Sequence, residues 1–214
     1  MAATPAPVTR WVCTGPTQVG GAVDVERKTY NGPTDVAVEE AVIYTDGVLT
    51  DQDVRFVRDE YKAGGGAFVF RSKSTSQWHG LTWCLQERST VEVELSAIYR
   101  AIDYAASDFI GVQTNETFGR LVVVSDCVAA LAYIQAVLSS FGHYRGTRVE
   151  HIVELTEWFE SCGKEVVFEW VPRSSCQGNR IADSLATHAR NKAGEGCDSC
   201  TWTYANGQLL PHQS

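Results

Sequence analysis

The segment EVVFEWVPRSSCQGNRIADSLATHARN, residues 165–191, combines three local patterns that together decide the fold. Residues 165–171 form a short apolar run that ends at a proline, which is typical of a buried strand. Residues 172–178 are mostly turn-forming and predict a loop. Residues 179–191 carry apolar side chains on one face of a predicted helix. These apolar positions are Ile181, Leu185 and Ala189. The segment therefore predicts a strand, a loop and a final helix packed on a sheet.

The sequence upstream of this segment continues the alternation of strands and helices. From Thr90 the apolar positions repeat every three to four residues, which predicts a helix capped by Ser89 or by Thr90 itself. The run LVVVS, residues 121–125, predicts a buried central strand. Residues 128–139 and 147–161 predict two further helices.

Three strands precede these elements. VAVEEAVIYTD (36–46) ends in an apolar run, and GGGAFVFR (64–71) and QWHGLTWCL (77–85) predict two more strands joined by a polar turn. Three strands in succession predict an antiparallel meander. The whole order of elements predicts a mixed sheet covered by helices, which is an α/β layered fold.

Both ends of the chain fall outside this pattern. Residues 1–35 are rich in Thr, Pro and Gly and predict an irregular extension, so we expect one domain over residues 36–192 and a loose tail over residues 193–214. The tail contains the C-x-x-C pair Cys197 and Cys200, which lacks the four ligands of a structural zinc site. We expect no zinc there, and we interpret this pair as surface thiols. The other five cysteines are interpreted as reduced thiols, most of them buried.

The charge balance limits the classes of partner. The net charge is −8, from 18 Lys and Arg against 26 Asp and Glu, and no block of basic residues is present. This argues against tight non-specific binding to nucleic acid, but it is compatible with a substrate held through bound Mg²⁺. No apolar run has the ~18–20 residues of a membrane helix, and the N-terminus lacks the apolar core of a secretory signal. We therefore expect an intracellular protein, cytoplasmic or nuclear, without membrane contact and monomeric.

Four carboxylates stand in unusual positions. Asp46 and Asp126 each follow an apolar strand, and Glu94 lies on the apolar face of the first helix. Asp183 lies early in the last helix between small residues that allow a close approach to the sheet. Each alone has a simpler explanation, as a turn former or a solvated side chain. Four carboxylates in one place repel each other unless cations are bound, and ligation by oxygen alone favours Mg²⁺ or Mn²⁺.

Four pieces of the sequence form a recognisable set: YTDG (44–47), VEVELSAIYRAI (91–102), VVVSDCVAAL (122–131) and WVPRSSCQGNRIADSLATHA (170–189). The last piece is the most specific, because it joins a strand ending in Trp-Val-Pro to a helix with Gly-Asn-x-x-Ala-Asp-x-Leu-Ala. With these pieces in this order, the chain resembles type 1 ribonuclease H over about residues 40–192.

The resemblance implies the fold and the activity of that family. The expected fold is a five-stranded mixed sheet, three antiparallel strands first, with helices on both faces. The expected activity is endonucleolytic hydrolysis of the RNA strand of an RNA–DNA hybrid, leaving a 3′-hydroxyl and a 5′-phosphate. Carried over by position, Asp46 would bridge two Mg²⁺ ions, Glu94 and Asp126 would hold one of them, and Asp183 the other.

The chain also departs from the pattern of the family. The family often has a histidine in the loop before the last helix, at about the place of Arg173, Ser174 or Ser175, whereas the loop PRSSCQ has none and is one residue shorter. We therefore expect slow turnover. No basic helical protrusion for gripping the hybrid is present in the sequence. The residues expected to contact substrate are Gly47, Arg173, Ser174 and Asn179.

Two other functions compete with an active ribonuclease H. The first is a catalytically weak or inactive interaction domain on the same fold, favoured by the acidic charge and the missing histidine. The second is a related nuclease, such as a proofreading exonuclease. That class places Asp-x-Glu on its first strand, whereas this strand continues as Asp46, Gly47 and Val48, which argues against it.

Overall fold

The computed structural model describes residues 40–50, 61–73, 75–108, 118–139, 147–197, 199–205 and 207–212. The predicted N-terminal extension, residues 1–35, and most of the acidic segment after the first strand lie outside the described residues. The strands are β1 (Glu40–Leu49), β2 (Lys62–Arg71), β3 (Trp78–Glu87), β4 (Arg120–Ser125), β5 (Glu165–Trp170), β6 (Thr201–Ala205) and β7 (Gln208–Pro211). The helices are α1 (Thr90–Asp108), α2 (Val128–Ser139), α3 (Arg148–Ser161) and α4 (Gln177–Gly194).

The sheet is mixed, as the sequence predicts. Its strand order is β5-β4-β1-β2-β3-β6-β7. β1, β4 and β5 are parallel, whereas β1, β2 and β3 form the predicted antiparallel meander. The crossing from β3 through α1 to β4 places β4 beside β1, so the carboxyl ends of these two strands meet at one end of the sheet.

Helices cover both faces of the sheet, which is also as expected. Neighbouring side chains of a strand point to opposite faces. Ile43 belongs to the core that β1 forms with α1, α2 and α3, whereas Tyr44 packs against α4. None of the described helices is long and apolar enough to cross a membrane.

The expected number of five strands and the expected loose tail are wrong. The described residues form a seven-stranded sheet, because the segment after α4 forms the hairpin β6–β7. β6 pairs with β3 in antiparallel orientation, with Trp202 opposite Thr82. The Trp202 ring also meets the edge of the His188 ring on α4, at a centroid distance of 5.2 Å. The two added strands have five and four residues, and such short strands give too little alternation to be recognised from sequence.

The interpretation of the cysteines also requires correction. Cys197 and Cys200 form a disulfide, because the turn between α4 and β6 brings their Cα atoms to 5.9 Å, within the usual disulfide range. The Cys84 backbone N–H donates to the Cys200 carbonyl at 2.9 Å, which attaches this turn to β3. Of the described free cysteines, only Cys84 is fully buried, whereas most were expected to be.

Candidate metal centre

The parallel pairing of β1 and β4 places two of the predicted carboxylates side by side. The paired register runs to Tyr44 and Val124, and Asp46 and Asp126 each lie two residues beyond that pair. The Thr45 hydroxyl donates to the Val124 carbonyl at 3.1 Å, which fixes the two strand ends relative to each other. Both carboxylates therefore lie at the same end of the sheet.

The start of α1 adds the third carboxylate. The Ser89 hydroxyl accepts a hydrogen bond from the Glu92 N–H at 3.3 Å, so Ser89 caps the helix as one of the two predicted candidates. Glu94 follows in the first turns and is only 4% exposed. The helix can approach β1 because Gly47 has no side chain: a Cβ atom there would lie 2.7 Å from the Glu94 backbone nitrogen.

Asp46, Glu94 and Asp126 converge. One oxygen of each lies within 4.8 Å of the others. Asp46 is 3% exposed, and Asp126 is half-buried. One buried oxygen of each carboxylate, Asp46 Oδ2, Glu94 Oε2 and Asp126 Oδ2, has no hydrogen-bond partner. Buried carboxylate oxygens without partners are costly, and a divalent cation that prefers oxygen ligands fits this arrangement.

The environment raises the pKa of all three carboxyl groups. Burial is the largest cause in each case. Burial, followed by the charges of Asp126 and Asp183, raises the pKa of Asp46 from 3.8 to about 7. Burial and the charges of Asp46 and Asp126 raise the pKa of Glu94 well above its usual value. The centre thus resists carrying its full negative charge without a cation.

The fourth predicted carboxylate, Asp183, lies near this group but not within it. Its charge raises the pKa of Asp46 and of Asp126, yet its Oδ1 accepts a hydrogen bond from the Arg173 guanidinium at 2.9 Å. α4 reaches this position by packing closely on β2, since a Cβ atom at Gly65 would lie 2.1 Å from the Ala186 carbonyl oxygen. Asp183 is therefore paired with a cation of the chain.

The loop between β5 and α4 carries the other predicted contact residues. Arg173 and Ser174 are exposed, whereas Asn179 is 1% exposed at the start of α4. The Ser174 N–H donates to the Asn179 Oδ1 at 2.6 Å, and Ser174 has a φ of 56°, in the left-handed region. The Asn179 amide offsets part of the rise that burial causes in the pKa of Asp126.

One hydrogen bond near the centre, made by Trp170, is not predicted from the sequence. The Trp170 indole Nε1 donates to the backbone carbonyl of Asp126 at 3.0 Å, which holds the segment that follows β4. The Trp-Val-Pro piece at the end of β5 contains this tryptophan. A tryptophan at the end of a strand more simply predicts a side chain packed in the core, so the hydrogen bond is not expected from the pattern.

The chain matches known proteins by its structure and not by its sequence. No family model matches the sequence, and no curated protein is similar to it. LC11-RNase H1, isolated from compost by a metagenomic approach, is 21% identical with a TM-score of 0.51, and the match covers 72% of this chain and 98% of that chain.

Two further solved structures have the same fold. LC9-RNase H1, described as a type 1 RNase H with the type 2 active-site motif, is 14% identical with a TM-score of 0.50, covering 84% of this chain and 80% of that one. The foamy viral protease-reverse transcriptase, solved in complex with an RNA/DNA hybrid, is 17% identical with a TM-score of 0.51, covering 78% of this chain and 22% of that one. The chain therefore has the α/β fold of type 1 ribonuclease H domains, as the sequence resemblance predicts.

Proposed function

We propose that the protein is an endoribonuclease that hydrolyses the RNA strand of RNA–DNA hybrids with two divalent metal ions. The main support is the convergence of Asp46, Glu94 and Asp126 at the carboxyl ends of two parallel strands, each with a buried oxygen that lacks a partner. Ligand sites in open α/β sheets collect at such strand ends. Two proteins of this fold, LC11-RNase H1 and the foamy viral enzyme, have been solved with an RNA/DNA hybrid, which supports the proposed substrate by analogy.

The residues of this chain would divide the work as follows. Asp46, Glu94 and Asp126 would hold one Mg²⁺, and Asp46 together with Asp183 would hold the second; Mn²⁺ would substitute because it accepts the same oxygen ligands. When bound, the ions would supply an activated water and neutralise the charge on the leaving oxygen.

Among the described residues, Arg173 is the best-placed cation for the substrate. Its side chain is 71% exposed and ends at Asp183, so it borders the centre while remaining open to solvent. A guanidinium presents a planar set of donors that matches the oxygens of a phosphate group. Arg173 would therefore orient a phosphate of the RNA strand next to the carboxylates. Gly47 would contribute through its backbone, because the space beside its Cα atom is filled by α1.

The alternative function is a catalytically weak or inactive domain of the same fold. The pairing of Arg173 with Asp183 and the absence of a histidine from the loop favour it. The two functions differ in their response to metal. An active enzyme should bind Mg²⁺ at millimolar concentration or below and cleave, whereas an inactive domain should bind no metal or bind it without cleavage.

The deciding experiment is cleavage of an end-labelled RNA–DNA hybrid by the full chain in Mg²⁺. Duplex DNA, duplex RNA and single-stranded RNA serve as substrate controls, and a chelator serves as the metal control. The expected result is internal cleavage of the RNA strand of the hybrid only, with 5′-phosphate products. Glu157→Gln, at an exposed position of α3, should cleave like the parent protein. Absence of metal-dependent cleavage from a folded, metal-binding protein would reject this activity.

A further inference from the structure

Asn179 is a buried residue that holds the loop between β5 and α4 by a hydrogen bond and lies near the carboxylate cluster. Its side chain is 1% exposed, so a direct contact with a large substrate would require the loop above it to move away. Its Oδ1 accepts the Ser174 N–H at 2.6 Å, whereas its buried Nδ2, which acts on the pKa of the nearby Asp126, has no hydrogen-bond partner among the described residues. The side chain therefore lies between the loop and the carboxylate cluster.

The loop needs such a contact because its backbone conformation is unfavourable. Ser174 has a φ of 56°, a region that non-glycine residues rarely occupy because Cβ crowds the backbone. The hydrogen bond that the Ser174 N–H donates to Asn179 Oδ1 offsets that cost, and it satisfies this backbone N–H. The Arg180 guanidinium adds a longer contact of 3.4 Å to the Ser174 carbonyl.

The backbone conformation of Ser174 fixes the direction in which the Arg173 side chain extends from the loop. Arg173 precedes it directly, and the Arg173 guanidinium reaches the Asp183 carboxylate at 2.9 Å. A relaxed loop would carry the Arg173 backbone to a different place relative to α4. Arg173 is the only described cation that pairs with a predicted metal ligand. Its position thus depends on the buried amide of Asn179.

We propose that Asn179 is a positioning residue, which holds the loop between β5 and α4 in the left-handed turn at Ser174 and thereby sets Arg173 against the carboxylate cluster. This inference rests on the proposed function in one respect, because it takes that cluster as the catalytic centre. It assigns Asn179 a role through the loop and through Asp126, rather than a contact with the substrate.

Three variants distinguish the effect of Asn179 on the loop from its effect on the carboxylate cluster. Asn179→Ala removes the acceptor of the Ser174 N–H together with the amide near Asp126. Asn179→Asp keeps an oxygen that can accept the Ser174 N–H but places a fifth carboxylate beside Asp126. Ser174→Gly removes the backbone strain, because glycine adopts a positive φ freely. Gln177→Ala is the matched control, since Gln177 is exposed in the first turn of the same helix.

The first readout is the exchange rate of the Ser174 amide proton, measured by NMR on the full metal-free chain. We expect it to rise at least about tenfold in Asn179→Ala and to stay at the parent rate in Asn179→Asp and Gln177→Ala, because only the first loses the acceptor. If Asn179→Ala does not fold, Asn179→Asp still decides the question, since it must keep the protection. Unchanged exchange in Asn179→Ala, or fast exchange in Asn179→Asp, would overturn the proposal.

The second readout is hybrid cleavage, with kcat and KM measured separately. Asn179→Ala should lose at least about tenfold in kcat/KM, and Ser174→Gly in that background should recover part of the loss, because glycine holds the turn without help. No recovery from Ser174→Gly in an otherwise active enzyme would contradict the role through the loop. If the parent chain does not cleave hybrids at all, the proposed function fails, whereas the amide exchange still tests the role of Asn179 in the loop.

Discussion

The guanidinium of Arg173 lies 2.9 Å from the carboxylate of Asp183, the one predicted metal ligand that stands apart from the other three. The pair is largely open to solvent, with the Arg173 side chain 71% and the Asp183 side chain 29% exposed. Ion pairs in such positions contribute about 0–1 kcal/mol, because water screens them. We therefore expect Asp183 to exchange this guanidinium for a metal ion at little cost.

The first prediction concerns this exchange. Arg173→Gln removes the cation that lowers the pKa of Asp46, Glu94 and Asp126. We expect Mg²⁺ to raise the melting temperature of this variant by more than it raises that of the parent, because no guanidinium competes for Asp183. Hybrid cleavage should nevertheless fall, since the phosphate contact is lost. Arg190→Gln on α4 is the control, and an equal Mg²⁺ response in both variants and the parent would show that Arg173 does not compete.

The second prediction concerns Asp46. Asp46→Asn keeps the shape of the side chain but removes the charge shared by both proposed metal sites, so hybrid cleavage should fall at least ~10³-fold. The metal-free variant should melt no lower than the parent, since one of several repelling charges is gone. Asp103→Asn, at an exposed position of α1, should cleave normally. Near-normal cleavage by Asp46→Asn would remove Asp46 from the mechanism.

The choice of metal ion gives a related test on the parent protein. Ca²⁺ should bind but support little cleavage, because its looser coordination positions water poorly.

The third prediction is a loss of stability with rising pH in the metal-free protein. The pKa of Asp46 is raised from 3.8 to about 7, so between these values the folded state binds more protons than the unfolded chain. Its contribution to stability is complete below about pH 4 and is lost as the pH rises through about 7. One pKa unit corresponds to about 1.4 kcal/mol, so the effect should reach a few kcal/mol at most.

This pH effect is isolated by comparing the parent with Asp46→Asn. Urea unfolding in a chelator, from about pH 5 to 8, gives the free energy of unfolding of both proteins. The parent should lose stability relative to the variant over this range, and excess Mg²⁺ should suppress the loss because it competes with the proton. A constant difference would mean that Asp46 is ionised throughout.

The fourth prediction concerns the loop histidine that the sequence lacks. Histidine is tolerated in the left-handed region better than most side chains, so Ser174→His fits the φ of 56° at this position. An imidazole here would titrate near pH ~6.5 and could assist proton transfer, which is worth roughly 10²–10⁴-fold. We expect a higher steady-state rate and a new step in the pH profile. A second variant adds one Gly after Arg173 to restore the length, and Ser184→His on α4 is the control; no gain in either loop variant would show that the loop does not limit turnover.

The fifth prediction tests how α4 is placed. Gly65→Ala puts a methyl group 2.1 Å from the Ala186 carbonyl oxygen, so α4 must move off the sheet. We expect a loss of about 1–3 kcal/mol in the free energy of unfolding, together with weaker metal binding because Asp183 moves with the helix. Gly194→Ala, near the end of the same helix, meets nothing within 4 Å and should stabilise the protein by about 0.5–1 kcal/mol. Equal stability of the two variants would contradict the close packing.

The sequence predicts the positions of the carboxylates because each depends on a local pattern. Asp46 and Asp126 lie at the ends of apolar runs that are typical of buried strands, and Glu94 lies within the apolar face of α1, where it is buried as expected. The ion pair between Arg173 and Asp183 could not be predicted, because it depends on the backbone conformation of Ser174. A positive φ at a serine leaves no signal in the sequence, whereas glycine or asparagine would have suggested it.

The hairpin β6–β7 covers the backbone hydrogen-bonding groups along the edge of β3, which another chain could otherwise pair with. Without it, β3 would end the sheet with ten residues, Trp78–Glu87, whose backbone groups could pair with another chain. Among the described strands, β7 ends this side of the sheet, has only four residues and finishes at Pro211, which has no N–H to donate. The hairpin thus covers the edge of β3, and we expect a chain cut at the end of α4 to self-associate more readily by strand addition at β3.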